Sequence, residues 1–434
     1  MGKYFVQSFG CRASQSDGAA LDAMLAAKGL ESAEERSHAD LVVLNTCTVT
    51  SSADEDLRQT IRRVHRENPA ARILVTGCYA QRAPEELACL PGVEWVVGNS
   101  HKSGIGELVT IGQEPAAPAP YHGNIVAGDI FAQHEFLCSP VLDSAAGRAR
   151  PNLKIQDGCN NRCSFCIIPF VRGRSRSAPA EQVVEQVRRL APRYREVVLS
   201  GINLGRWGRE PGSAMRLADL LRLLLARTGV ERLRLSSVEP MDFSDDLLGL
   251  MADSPRIAKH VHAPLQSGSD RILRRMRRKY RPRHYADRIG KARALMPDAA
   301  IGADVMVGFP GETDADFDET VRFIEDLPFT YLHVFTYSER PGTAAAGDPD
   351  SVPVPVRKER NRRLRELAAD KNRRFRERMV GRTLSAVTLH EPGRALTDNY
   401  LEVELSGWRE PNSLVEIRVG GMTKNGVLEV RIYG

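Results

Sequence analysis

NLKIQDGCNNRCSFC, residues 152–166, begins as a short apolar run and ends in three cysteines within eight positions, Cys159, Cys163 and Cys166. NLKIQ reads as a strand. Structural zinc takes four ligands, and neither a histidine nor a fourth cysteine lies nearby in the sequence. A 4Fe–4S cube takes one ligand per iron, usually four thiolates. Three thiolates therefore leave one iron open to bind a small molecule. A loop that directly follows a strand sits at the carboxyl rim of its sheet, where α/β folds place their chemistry.

Outward from this loop the strand rhythm continues. EVVLSG, RLRLSS, KHVHAP, IGADVMVGF and YLHVFTY alternate with helical stretches such as AEQVVEQVRRLA and DADFDETVRFIEDL. Six βα units are too few for an eight-fold barrel, so residues 145–378 are expected to form an open, partial (β/α)6 barrel. Upstream, KYFVQSF, DLVVLNT, RILVTG and VEWVVG alternate with helices, which predicts a doubly wound parallel sheet over residues 1–112. The Pro/Ala-rich stretch QEPAAPAPYHG opens an irregular linker over 113–144, and RPGTAAAGDPDSVPVPV (340–356) reads as a second loop-rich break. A basic helix follows. TLSAVTLH, YLEVELSG, LVEIRVG and GVLEVRIYG then predict a small β-barrel over 379–434. The fold class is thus α/β with an all-β tail.

The first sheet adds a second set of thiols. Cys11, Cys47 and Cys78 each stand at or just past the carboxyl end of a parallel strand candidate. Those ends share one edge, so the three can converge on a second iron–sulfur cluster. Cys89, in a helical pattern, and Cys138, in the linker, read as ordinary packing.

Composition sets the class. Of 434 residues 42% are hydrophobic and 27% charged, as in ordinary globular proteins. No apolar run approaches the ~18 residues of a membrane span, since even LADLLRLLLARTGV carries Arg222. MGKYFVQSFGCR has no signal-peptide core, so a reduced, cytoplasmic setting is expected and the eight cysteines are not a disulfide framework. The net charge is +6, concentrated in two runs. Residues 271–283 hold eight Lys/Arg and no acid, and 357–378 hold eleven against four acids. With Arg172, Arg174 and Arg176 beside the cysteine loop, they point to a polyanionic partner.

GCNNRCSFC resembles the signature of the radical S-adenosylmethionine superfamily. Together with the three strand-end cysteines and the terminal β-barrel, which is similar to a TRAM domain, the chain resembles the methylthiotransferase family over nearly its whole length. CNNRCSFCIIPFVRGRSRS looks most like the branch acting on N6-threonylcarbamoyladenosine in tRNA, and LSGINLGRWG, LRLSSVEP, HAPLQSGSDRILRRMRRKY and IGADVMVGFPGET agree.

That resemblance implies two 4Fe–4S clusters and S-adenosylmethionine as cofactors. Cys159, Cys163 and Cys166 would hold the radical cluster, and Cys11, Cys47 and Cys78 the auxiliary one. Phe165 would lie near the adenine of S-adenosylmethionine. Ser200 and Gly201 match the strand end that meets its methionine part, although this chain reads Ser-Gly-Ile-Asn where many relatives have Gly-Gly-Glu. Ser237, Glu239 and Gln266, at the next two strand ends, are expected to face the barrel mouth. Gly308 and Gly311 would let backbone approach the ligand, with Glu312 capping the following helix. The implied reaction inserts sulfur at C2 of the modified adenine at position 37 of tRNA and methylates it from a second S-adenosylmethionine. The implied partners are the tRNA anticodon stem–loop and an electron donor such as flavodoxin or ferredoxin, with the enzyme a monomer. Competing readings are the same chemistry on isopentenyladenosine or on a ribosomal-protein aspartate, and a non-catalytic iron–sulfur RNA-binding regulator.

Overall fold

The structure, a computed structural model, describes residues 2–109, 123–133, 136 and 149–430. Most of the expected linker, including Cys138, lies outside the described residues. The chain divides into two compact units.

The first unit comprises residues 1–145, 154–178 and 338–346. Its elements are β1 (Lys3–Ser8), α1 (Arg12–Ala27), β2 (Glu31–Ser32), β3 (Leu41–Thr46), α2 (Ser51–Glu67), β4 (Arg72–Gly77), α3 (Cys78–Arg82), α4 (Pro84–Ala88), β5 (Val93–Gly98), α5 (Ile105–Leu108) and β6 (Asn124–Val126). The six strands form one parallel sheet in the order β2-β1-β3-β4-β5-β6. LVVLNT in β3 is buried at every position, as a strand covered on both faces must be. On one face Val42, Leu44, Ile73 and Val75 pack with Leu57, Ile61 and Val64 of α2. On the other, Leu41, Val43 and Leu74 pack with Leu21 and Leu25 of α1. This is the expected doubly wound sheet. Strand β6 was not expected, because it lies within the segment read as irregular.

β7 (Asn152–Asp157) starts in the second unit, where the Val198 N–H donates to Pro151 O at 3.0 Å. It ends in the first unit, paired antiparallel with β8 (Arg176–Ser177) beyond α6 (Ile168–Arg172).

The second unit comprises residues 146–153, 179–337 and 347–434. It continues with α7 (Ala180–Leu190), β9 (Glu196–Gly201), α8 (Leu217–Arg227), β10 (Arg232–Leu235), α9 (Asp245–Asp253), β11 (His260–His262), α10 (Asp270–Arg275), α11 (Pro282–Leu295), β12 (Ala300–Val307), α12 (Asp314–Asp326) and β13 (Tyr331–Thr336). β9 and β10 are parallel neighbours, as are β11, β12 and β13. A parallel bridge between Leu233 and Ile257 joins the two groups. β7 neighbours β9 in sheet order, so the expected partial barrel counts six strands.

Helix α13 (Val354–Met379) leads into β14 (Thr383–Thr388), β15 (Arg394–Thr397), β16 (Glu402–Glu404), β17 (Leu414–Met422) and β18 (Val427–Glu429), a closed barrel. Its core of Leu384, Ala386, Val403 and Ile417 takes in Phe375 and Met379 from α13. β15 was missed in the sequence, being four residues set between turn signals. The turn after β15 is tied down by charge. Arg234, fully buried on β10, donates to both oxygens of Glu196 and to the carbonyls of Thr397 and Asp398.

Candidate functional site

Both cysteine triads fall in the first unit. Cys11, Cys47 and Cys78 follow β1, β3 and β4, which are adjacent in the sheet. Cys47 and Cys78 are buried and Cys11 is exposed. Gly10 (φ +90°) makes the convergence possible, because a Cβ there would lie 2.5 Å from the Cβ of Cys47. The Cys47 thiol is pushed up to about 12, first by burial and then by the negative charge of Cys78 and Cys11. Three sulfurs that repel one another as thiolates suit a shared polynuclear cation.

The second triad is held by its own loop. Gly158 (φ +66°) has room for a hydrogen only, since a Cβ would meet Arg174 O at 2.0 Å. Cys159 N–H donates to Gly173 O at 3.1 Å, Cys166 N–H to Cys163 O at 3.1 Å, and Asn161 N–H to Cys159 Sγ at 3.4 Å. All three thiols and the Phe165 side chain are half-buried. Helix α6, leaving this loop, packs through Ile167 and Val171 against Cys78. Asn99 links the two regions, donating to Val171 O at 2.8 Å and to Cys78 Sγ at 3.8 Å.

A buried charge network adjoins the thiols. Arg172, 1% exposed, donates to Asp157 at 3.0 Å and Asp17 at 2.9 Å. Lys102 donates to Asp17 at 3.1 Å, and Lys154 to Asp157 at 2.9 Å and also to Asp17. These contacts hold both carboxyl groups well below the usual range, although burial alone would raise them. With Arg176 at 3.7 Å from Asp157, four cations face two carboxylates, and the surplus acts on Cys78 and Cys11, whose charge helps keep Arg172 protonated against its burial. A thiolate-ligated iron cluster is anionic, so the donor set and its surroundings fit such a cluster.

The expectation that Arg172, Arg174 and Arg176 all serve a polyanion is therefore corrected. Only Arg174 is exposed, and Arg176 turns inward to donate to Arg172 O at 2.8 Å. The break at 340–356 also does more than connect. Arg340 is buried, donating to Asp54 at 2.7 Å, and Arg82 reaches the same carboxylate at 3.1 Å and Thr48, beside Cys47, at 2.9 Å. Sequence reading missed this brace, because nothing local pairs residue 340 with residue 54.

In the second unit, Ser200 and Gly201 end β9. Ser200 is buried and its hydroxyl donates to Leu153 O at 3.4 Å. Ser237 and Glu239 follow β10, both half-buried, and Glu239 pairs with Arg278. Gln266 adopts φ +67° and extends the β12 ladder, its carbonyl accepting from Met306 N–H at 2.8 Å. Gly308 N–H donates to Glu312 at 2.7 Å, and the space a Cβ would take at Gly308 is filled by the Arg357 side chain. Glu312 is not the cap of α12. Thr313 is, accepting from Asp316 N–H in a capping box, while Glu312 receives Arg360 at 2.7 Å.

The first basic run is largely neutralised, and the second only in part. Arg271 pairs with Asp316, Arg275 with Asp348 and Asp350, and Arg278 with Glu239. On α13, Arg362, Arg363, Arg373 and Arg374 all have carboxylate partners. Arg277, Lys279, Arg283, Lys358, Arg365 and Arg378 remain exposed without an ion pair among the described residues.

Residues 153–324 match the family described as the radical SAM superfamily, and residues 3–98 match the uncharacterized protein family UPF0004. The threonylcarbamoyladenosine tRNA methylthiotransferase MtaB of Aquifex aeolicus is 40% identical over 96% of this chain and all of its own length. The chain belongs to the radical S-adenosylmethionine methylthiotransferase family. It is an enzyme that transfers a methylthio group, and the family's cofactors are two 4Fe–4S clusters and S-adenosylmethionine. The tRNA-2-methylthio-N(6)-dimethylallyladenosine synthase of Thermobifida fusca is 36% identical over 96% of this chain and 83% of its own. Among solved structures, the radical S-adenosylmethionine methyltransferase TsrM of Kitasatospora setae aligns with TM-score 0.58 at 16% identity, over 79% of this chain and 76% of that one, a likeness of fold. Membership in the family excludes the non-catalytic regulator. Among the described residues no helix is long and apolar enough to cross a membrane.

Proposed function

We propose that this methylthiotransferase acts on tRNA, converting N6-threonylcarbamoyladenosine at position 37 to its 2-methylthio derivative at C2. The observation that carries the reading is the end-to-end match to a protein named for that activity at 40% identity. Dimethylallyladenosine is the second reading, supported by a relative at 36%.

In this reading Cys159, Cys163 and Cys166 hold the radical cluster, and Cys11, Cys47 and Cys78 the auxiliary cluster. When bound, the radical cluster and S-adenosylmethionine supply a 5′-deoxyadenosyl radical, and the auxiliary cluster supplies sulfur. The chain's residues hold these groups and tune their surroundings. Gly10 and Gly158 give the two loops their shape. Arg172 and Lys102 offset the negative charge of the thiolates, and Lys154 holds Asp17 and Asp157. Phe165, Ser200, Gly201, Ser237, Glu239, Gln266 and Gly308 are the candidate contacts to S-adenosylmethionine.

Residues 1–112 form the auxiliary-cluster domain, 145–378 the radical core and 379–434 the RNA-gripping TRAM barrel. Trp408, 77% exposed on that barrel, suits stacking against a base. Arg174, Arg277, Lys279 and Lys358 suit phosphate contacts. A cytoplasmic monomer reduced by a flavodoxin or ferredoxin completes the reading.

The test is anaerobic. The reconstituted enzyme is given dithionite, S-adenosylmethionine and tRNA bearing threonylcarbamoyladenosine, and the digested nucleosides are weighed. A methylthio mass gain on that nucleoside is expected. A gain only on dimethylallyladenosine, with deoxyadenosine released, would select the second reading.

A further inference from the structure

The second unit contains a polar cluster that the reaction chemistry above does not use. On β11–β13, Val261, Ala303, Val305 and Val334 are buried. The alternate positions carry His260, His262, Asp304, Met306, Tyr331, His333 and Phe335, on the opposite face. Gly302 leaves room there for the Tyr331 ring, since a Cβ would lie 2.0 Å from it. His262 Nε2 and His333 Nδ1 both approach Asp304 Oδ1, at 3.1 and 3.2 Å. The Tyr331 hydroxyl lies 2.8 Å from His262 Nδ1 and 2.7 Å from His260 Nε2.

The proton positions follow from the acceptor in the middle. Asp304 is held ionised, its carboxyl well below the usual range despite burial because both histidines bond to it. An ionised carboxylate only accepts, so His262 Nε2 and His333 Nδ1 both carry hydrogen. With Nε2–H on Asp304, the His262 tautomer that accepts at Nδ1 takes the hydrogen bond from the Tyr331 hydroxyl, and that hydroxyl oxygen accepts from His260 Nε2–H. This arrangement leaves the lone pair on His333 Nε2 without a partner among the described residues. The His333 side chain is 51% exposed, and the exposed ring of Phe335 stands beside it with centroids 6.4 Å apart.

We propose that His333, oriented by Asp304 and His262, is the binding residue that reads the N6 substituent of the target base, with Phe335 as the wall against which the base stacks. This rests on the substrate class proposed above. A urea-linked substituent carries an N–H for the Nε2 lone pair, and its terminal carboxylate accepts from the same nitrogen once protonated. A prenyl group offers neither and would strip water from Nε2 without replacing it. His333 is thus a selector for the polar substituent over the apolar one.

The experiment measures binding and turnover separately. Anticodon stem–loops carrying adenosine, threonylcarbamoyladenosine or dimethylallyladenosine are titrated by fluorescence anisotropy against reconstituted wild type, His333→Leu and His333→Gln. Wild type is expected to prefer the threonylcarbamoyl loop over the other two by about 10- to 100-fold. His333→Leu should lose that preference while binding the plain adenosine loop as wild type does, and His333→Gln should restore part of it. Absence of preference in the wild type, or an undiminished preference in His333→Leu, would overturn the assignment. Preference lost in His333→Leu, from a wild type that does not methylthiolate the loop, would leave the assignment standing and overturn the reaction. The three ligand atoms also lie close enough to embrace a divalent cation. One metal ion per chain beyond the cluster iron, lost in His333→Leu, would overturn the recognition role.

Discussion

Each unit of this enzyme buries carboxylates among a surplus of cations, and the two arrangements serve different ends. In the second unit Glu196 receives Arg234, Arg150 at 3.2 Å and Arg232 at 3.6 Å. Its surplus charge is shared between the nearby Asp398 carboxylate and neutral oxygens: Arg234 donates to the Thr397 and Asp398 carbonyls, and Arg232 to the Ser385 hydroxyl. The product is a fastened joint between the radical core and the terminal barrel. In the first unit Asp17 and Asp157 receive Lys102, Lys154, Arg172 and Arg176, and the surplus acts on cysteine sulfurs. Burial of charge alone therefore does not mark a functional site. What receives the excess does.

The comparison can be broken at either end. Arg172→Met leaves Asp17 and Asp157 short of a partner inside the protein. It should cost about 3–5 kcal/mol in chemical denaturation and lower the iron retained after reconstitution. Iron at the wild-type level would reduce the first network to scaffolding.

Glu196→Gln should cost about 3 kcal/mol at neutral pH and leave iron unchanged. Burial alone would raise the Glu196 carboxyl, but Arg234, Arg150 and Arg232 bring it down to about 2 from 4.5. A depressed carboxyl stabilises the fold above its unfolded pKa, and that contribution is lost as pH falls from about 4.5 through about 2. Wild type and variant should therefore converge over that acid window. A gap constant with pH would refute the linkage.

Tyr400→Leu sharpens the joint. The Tyr400 ring stacks on His260 at 4.4 Å, and its loss should cost about 1 kcal/mol with iron unaffected. Thr313→Ala, a helix cap outside both networks, should cost about 1 kcal/mol and calibrate the scale.

The elements carrying this account differ in how far the sequence revealed them. The cysteines were legible because a strand pattern runs straight into each of Cys11, Cys47, Cys78 and Cys159, and strand ends in a parallel sheet share an edge. The partners of charges were not. Arg172 looked like one more arginine in a basic stretch, and only the fold brings it to Asp17, 155 positions away. The runs at 271–283 and 357–378 read as exposed charge because most of their partners, such as Asp316, Asp348 and Asp318, come from distant segments. The His262–Asp304–His333 cluster had a faint signal. HVH and YLHVF alternate in the strand period, which places their histidines on one side, but which strands are neighbours is a fact of topology.

The most direct test of the central claim, that six cysteines in one unit hold two clusters with separate duties, is iron content and deoxyadenosine release measured together in Cys47→Ala and Cys163→Ala. Each variant should retain about four of the roughly eight irons of the wild type. Cys47→Ala should still release deoxyadenosine while making no methylthio product, and Cys163→Ala should release none. A Cys47→Ala enzyme with full iron and normal product would contradict the account.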